Sequence, residues 1–143
     1  MLSTYLARFL LPALLLLTCS QTHAGTLYER LGGDAGLTDI ANELIDQSAQ
    51  DPDTRRSFHK VDIVRLKRLL REQLCELTGG PCHYTGDTMQ HVHGGLGITE
   101  GEFYGMVDHL RAILDARGIA QADKNALLAL LAPMKRDIVE ERK

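Results

Sequence analysis

Apolar residues return along this chain at helical intervals. Leu37, Ile40, Ala41, Leu44 and Ile45 stand 3, 1, 3 and 1 apart, the stripe of one amphipathic helix. The Asp51-Pro52-Asp53 cluster ends that pattern. Ile63, Leu66, Leu70, Leu74 and Leu77 repeat at 3, 4, 4 and 3, with Asp62 placed as N-cap and Gly79 as the C-terminal stop. Thr99 and Glu102 have the spacing of a capping box ahead of Phe103, Met106, Val107, Leu110 and Leu114, and Gly118 closes that stretch. Ala126, Leu127, Leu130, Leu131, Met134 and Ile138 form a last stripe, which Pro133 is expected to kink. No segment sustains the two-residue alternation of a half-buried strand. The pattern predicts a compact all-α domain of four main helices.

The first 24 residues do not fit that pattern. Arg8 is their only charge, Phe9–Leu17 is apolar apart from Pro12, and Thr22-His23-Ala24 offers small residues before Gly25. These are the parts of a cleavable secretory signal, and the apolar run is short of the ~20 residues that span a bilayer. The expected organisation is a signal peptide over 1–24 and one domain over 25–143. A lipoprotein signal is the alternative, with Leu16-Leu17-Thr18 ahead of a lipidated Cys19, and an uncleaved anchor is a third reading. The exported form implies a bacterial periplasm, and membrane attachment only through Cys19. Removing Arg8 takes the net charge from −3 to −4, a mildly acidic balance that disfavours nucleic acid. Apolar residues at 44% and charged residues at 24% are ordinary for a globular chain and exclude disorder. Aromatic residues at 5%, with no Trp, disfavour a stacking platform for single strands.

The other two cysteines, Cys75 and Cys82, flank a Gly79-Gly80-Pro81 turn. In an oxidising compartment such a pair suits a disulfide, with two buried free thiols as the alternative. The absence of C-x₂-C spacing, with only His83 adjacent, disfavours a metal site there.

Between the second and third main helices runs Tyr84-Thr85-Gly86-Asp87-Thr88-Met89-Gln90-His91-Val92-His93-Gly94-Gly95-Leu96-Gly97-Ile98. Its glycines forbid a long helix. His93, one turn beyond Met89, suits a metal or haem ligand on a short helix facing the apolar stripes. On spacing alone a satisfied core or surface histidine is the commoner case.

These motifs together resemble the truncated globins, specifically their group I. Leu27-Tyr28-Glu29-Arg30-Leu31-Gly32-Gly33 is similar to the family's opening turn. Thr78-Gly79-Gly80-Pro81 with Tyr84-Thr85-Gly86 is similar to the loop after its E helix. Val92-His93 with Leu96-Gly97-Ile98-Thr99 is similar to its proximal segment, and Leu131-Ala132-Pro133 to its last helix. The resemblance covers about residues 26–140 and implies a two-over-two helical sandwich around a b-type haem. His93 then matches the proximal histidine, a neutral imidazole on the iron. His91, two residues away, points about 200° elsewhere on a helix. Phe58 matches the phenylalanine packed on the haem, while Leu66, Leu70, Met89, Phe103 and Met106 match lining positions. Tyr84 matches a residue that holds a propionate or braces its own loop.

On the distal side the chain departs from the family pattern. The family's tyrosine and glutamine positions are Ile45 and Leu70 here, with Leu44, Leu66 and Leu74 as neighbours. Gln73, one turn further, is the nearest polar candidate, with a surface role favoured for it. The resemblance therefore implies a haem protein that reversibly binds a diatomic gas in an unusually apolar distal pocket. A periplasmic haem redox protein is the first alternative, for which His59 near Phe58 is a weak candidate sixth ligand. An NO-detoxifying dioxygenase is the second, and it requires a separate reductase because no flavin or nicotinamide motif is present. A helical interaction domain without cofactor is the third.

Overall fold

The computed structural model describes residues 25–140, and regular structure among them is entirely helical. The segment over 1–24, with Cys19, lies outside the described residues. Seven α-helices follow in order: α1 (Leu27–Arg30), α2 (Gly33–Gln50), α3 (Ile63–Leu77), α4 (Met89–His93), α5 (Glu100–Ala116), α6 (Gln121–Leu131) and α7 (Lys135–Ile138). Short 3₁₀ turns cover Arg55–Phe58 and Ala132–Met134. None of the described helices is long and apolar enough to cross a membrane.

The expected helix boundaries hold. Asp62 accepts from the Arg65 amide at the start of α3, and Thr99 with Glu102 forms the full capping box of α5. Thr26 and Glu29 build a second capping box at α1 that the apolar pattern did not show. Both glycine stops are Schellman motifs. Gly79 has φ +84°, its amide reaches Glu76 O, and the Gly80 amide reaches Cys75 O. Gly118 has φ +67°, with matching bonds from Gly118 to Asp115 O and from Ile119 to Leu114 O. Side chains at either position would face a backbone region that L-residues avoid. Pro133 divides the last stripe: α6 stops at Leu131, the 3₁₀ turn follows, and α7 resumes.

The main core forms where α2 packs against both α3 and α5. Leu37, Ile40 and Leu44 of α2 meet Leu74 and Cys75 of α3, Leu110, Ile113 and Leu114 of α5, and Leu127 of α6. Each such side chain contributes roughly 1.5–3 kcal/mol of transfer free energy. Cys75 and Cys82 are joined in a disulfide across a Cα–Cα distance of 5.7 Å. The bridge ties the end of α3 to the following loop and closes a short loop, worth about 2–3 kcal/mol.

Overall charge concealed a local imbalance. Residues 55–71 hold seven basic side chains against one acidic, Asp62. Four of the seven are paired: Arg56 with Glu102, Lys67 with Asp46 and Arg71 with Asp34 across the fold, and Arg68 with Glu72 one turn on within α3.

Candidate functional site

The apolar stripes leave a cavity of about 340 Å³ between them. Leu44 and Ile45 of α2, Leu66, Leu70 and Leu74 of α3, and Phe103 and Met106 of α5 all line it. Phe58 closes one side from the 3₁₀ turn, and Met89 and His93 of α4 close another. Thus every residue singled out from the sequence for the cavity is brought to one space. Leu69, Val107, Met134 and Ile138 join them. Val107, Met134 and Ile138 were visible as stripe positions, though their destination was not.

His93 is the last residue of a helix of five, capped at its start by the Thr88 side chain. Its ring nitrogen Nδ1 lies 2.8 Å from the carbonyl oxygen of Met89, one turn back. A carbonyl only accepts, so Nδ1 carries a proton, and it is Nε2 that offers the lone pair in the neutral form of the ring. That is the hydrogen bond a metal-bound histidine characteristically makes, and it sets both tautomer and ring direction. His91 does not share the wall: its side chain is 75% exposed and stands 3.6 Å from Asp87. His59 is also exposed and outside the cavity lining.

Most polar groups on the wall are already engaged. The Thr54 hydroxyl donates to Ser48 O at 2.6 Å, and the Ser57 hydroxyl to Glu102 at 3.2 Å. Tyr84 donates to Asp87 O at 3.0 Å, so within the cavity wall it braces its own loop. Burial first, then the carboxylates of Asp87 and Glu72, push the Tyr84 phenol up. Glu102 is also on the wall. Burial favours its neutral form, but Arg56 and the Thr99 bonds outweigh that and hold it at about 2.

Gln73 corrects the surface role favoured for it from the sequence. It lines the cavity, and its amide nitrogen lies 3.5 Å from the Met89 sulfur and 3.9 Å from the Met134 sulfur. Thioethers are weak acceptors, so this amide retains donor capacity. It is nonetheless held against Met89, on the helix that carries His93. The stripe spacing from Leu66 and Leu70 pointed Gln73 inward; its amide argued for solvent, and the two sulfurs that receive it were not foreseeable from local sequence.

Among the described residues no group of three or more His, Cys, Asp or Glu side chains is placed to hold a bare metal ion. A lone imidazole on an apolar wall suits instead a metal whose other ligands come with an organic ring. The residues present fit such a group. The cavity falls within the roughly 300–1,000 Å³ of small-ligand sites, its lining is mainly apolar, and it contains one imidazole in a fixed tautomer.

Residues 26–140 match the bacterial-like globin family. The chain is 30% identical over 113 residues to the group 1 truncated hemoglobin GlbN of Mycolicibacterium paratuberculosis, covering 79% of this chain and 83% of that protein. The crystal structure of truncated hemoglobin from Tetrahymena pyriformis, Fe(III) form, superposes with a TM-score of 0.77 at 24% identity, over 82% of this chain and all of that one. The 2/2 hemoglobin from Synechococcus, in the cyanomet state with covalently attached heme, gives 0.75 at 20% identity, again over 82% of this chain. At these identities the two structures speak for the fold.

Proposed function

From the premise that this chain belongs to the bacterial-like globin family and is a truncated hemoglobin, we propose that it carries a b-type haem whose iron His93 would hold, and that it reversibly binds a diatomic gas. When bound, haem iron supplies an open coordination position for O₂, CO or NO. The observation that carries the reading is the His93 ring: with Nδ1 donating to Met89 O, Nε2 is the free lone pair at the wall of an apolar cavity. Phe58, Leu66, Leu70, Met89, Phe103 and Met106, which line the cavity, would supply the apolar contacts that hold the ring system and exclude water. Ile45, Leu44, Leu66, Leu70 and Leu74 form the distal wall. None of them donates a hydrogen bond, so gas selectivity there rests on shape and dispersion. Gln73 does not complete that wall in this reading, since its amide is held beside Met89.

The protein is read as exported through the signal over 1–24, and residence in a bacterial periplasm suits the Cys75–Cys82 disulfide. Lipidation at Cys19 is the anchored variant of that reading.

Absorbance of the purified protein tests the haem assignment. His93→Ala is expected to abolish the normal Soret band, while His91→Ala leaves it intact. A His91 variant that loses the haem beside a His93 variant that keeps it would overturn the assignment.

A further inference from the structure

We propose that Arg56 is a positioning residue for His93: by holding the loop that follows α4, it fixes the stance of the imidazole toward the iron. The inference rests on the haem reading above. A five-residue helix has little stability of its own. Among the described residues the His93 ring is tied to Met89 O in its own helix alone, so its direction follows the orientation of α4 as a body. That orientation depends on packing against α7 and on the chain leaving α4, the segment Gly94-Gly95-Leu96-Gly97. Gly95 and Gly97 have φ of +81° and +60°, and a Cβ at either would meet nothing within 4 Å. No steric contact at these glycines sets their path.

Charged side chains hold it from two directions. Arg56 donates to Leu96 O and Gly97 O, both at 3.0 Å. From the other end of the chain, Glu140 accepts from the amides of Gly95 and Gly97, and its own amide donates to Ile98 O at 2.9 Å. Arg56 is itself fixed: its Nε and Nη2 reach the Glu102 carboxylate at 3.0 and 2.7 Å. Glu102 in turn accepts from Thr99 N and Oγ1, both at 2.9 Å, and from Ser57. Arg56 therefore links the turn that carries Phe58 to the loop that follows His93, joining two parts of the cavity wall. The Arg56 side chain is 55% exposed, and an ion pair that open to water adds little to folding. Its four directed bonds instead specify geometry, which a guanidinium does and a single ammonium cannot.

The test uses the haem-loaded protein with resonance Raman of the ferrous form just after CO photolysis, which reads the iron–histidine stretch. Arg56→Ala is expected to shift and broaden that band, and to speed haem transfer to excess apomyoglobin by roughly tenfold, the scale of one charged hydrogen bond. Arg56→Lys is expected to fall between. Arg111→Ala, which removes the exposed Arg111–Asp108 pair on α5, is expected to behave as the parent protein. If Arg56→Ala keeps the parent band, the proposal is overturned, even where its thermal midpoint drops, because that drop marks a fold staple only. A parent protein with no iron–histidine band, or with one that survives His93→Ala, overturns the haem assignment and this proposal with it.

Discussion

The two sides of the cavity are built on opposite principles. The α2–α3 side consists of helices of 18 and 15 residues whose inward positions are mainly aliphatic, and Ile40, Leu44, Ile45 and Leu74 are each at most 3% exposed. The α4 side consists of a five-residue helix with no buried residue, followed by a glycine-rich loop. Burial of apolar area holds the first in place. Hydrogen bonds, with packing on α7, hold the second: the Thr88 cap, the Met89–His93 contact and the grips of Arg56 and Glu140. A long packed wall resists deformation but presents mainly methyl groups, with the Gln73 amide as the exception. A short, bonded segment can present a ring nitrogen, because its geometry does not have to follow a packing stripe.

This contrast breaks first at α2. Ile40 is fully buried and belongs to the core without lining the cavity. Ile40→Ala is expected to cost the haem-free protein about 2–5 kcal/mol, read as a lower urea midpoint. His93→Ala is expected to cost the same haem-free protein less than about 1 kcal/mol, since half-buried α4 contributes little packing. If the two substitutions destabilise equally, the division between a packed wall and a bonded one is wrong.

The disulfide sharpens the comparison from the α3 end. Reducing Cys75–Cys82 is expected to lower stability by about 2–3 kcal/mol, measured as a shift in the urea midpoint with and without reductant. Mass spectrometry of protein taken from the periplasm is expected to show the two cysteine peptides joined, lighter by two hydrogens than the free pair. Two alkylatable thiols in that sample would count against the bridge in the cell and against export.

The two sides also differ in how far sequence alone reached. The α2–α3 side was legible because periodicity is local: Leu37, Ile40 and Leu44 declare their face within three turns, and Asp62, Gly79, Thr99 and Glu102 mark ends through bonds to near neighbours. His93 was favoured as a candidate ligand only through the family resemblance, since a histidine beside glycines has many uses. What holds it was not legible. Arg56 reaches carbonyls 40 and 41 residues on, and Glu140 reaches amides 45 and 43 residues back. Gln73 was misjudged for the same reason, because its partners Met89 and Met134 are distant in sequence. Glu102 was read as a helix cap, which it is, and the same carboxylate also anchors Arg56.

That double use gives the α4 side a pH dependence. Glu102 is held at about 2 in the fold, below its ordinary value of 4.5. A lowered carboxyl contributes stability that is present above the unfolded-state value and is lost as pH falls from about 4.5 towards 2. Stability of the parent protein is expected to decline across that window, and the decline is expected to be shallower in Glu102→Gln. Identical slopes in the two proteins, by acid titration followed with circular dichroism, would remove Glu102 as a source.

The smallest expected effect lies on the apolar wall itself. Ile45 is 1% exposed and lines the cavity where the family resemblance places a tyrosine. O₂ draws electron density as it binds haem iron and gains from a nearby donor, whereas CO gains much less. Ile45, Leu66 and Leu70 offer no donor, so fast O₂ release is expected, with CO favoured relative to O₂. Restoring a hydroxyl with Ile45→Tyr is expected to slow O₂ release by roughly tenfold, about 1.4 kcal/mol and the scale of one hydrogen bond. The larger ring must displace aliphatic neighbours, so some loss of stability accompanies it. CO release is expected to change far less, and this contrast separates a hydrogen bond from a merely narrower cavity, which slows both gases. Stopped-flow displacement on the two proteins reads both rates. If the parent protein already releases O₂ slowly and Ile45→Tyr changes nothing, a donor is already present. Gln73→Leu would then identify it: faster O₂ release in that variant would transfer the role to the amide now beside Met89 and Met134.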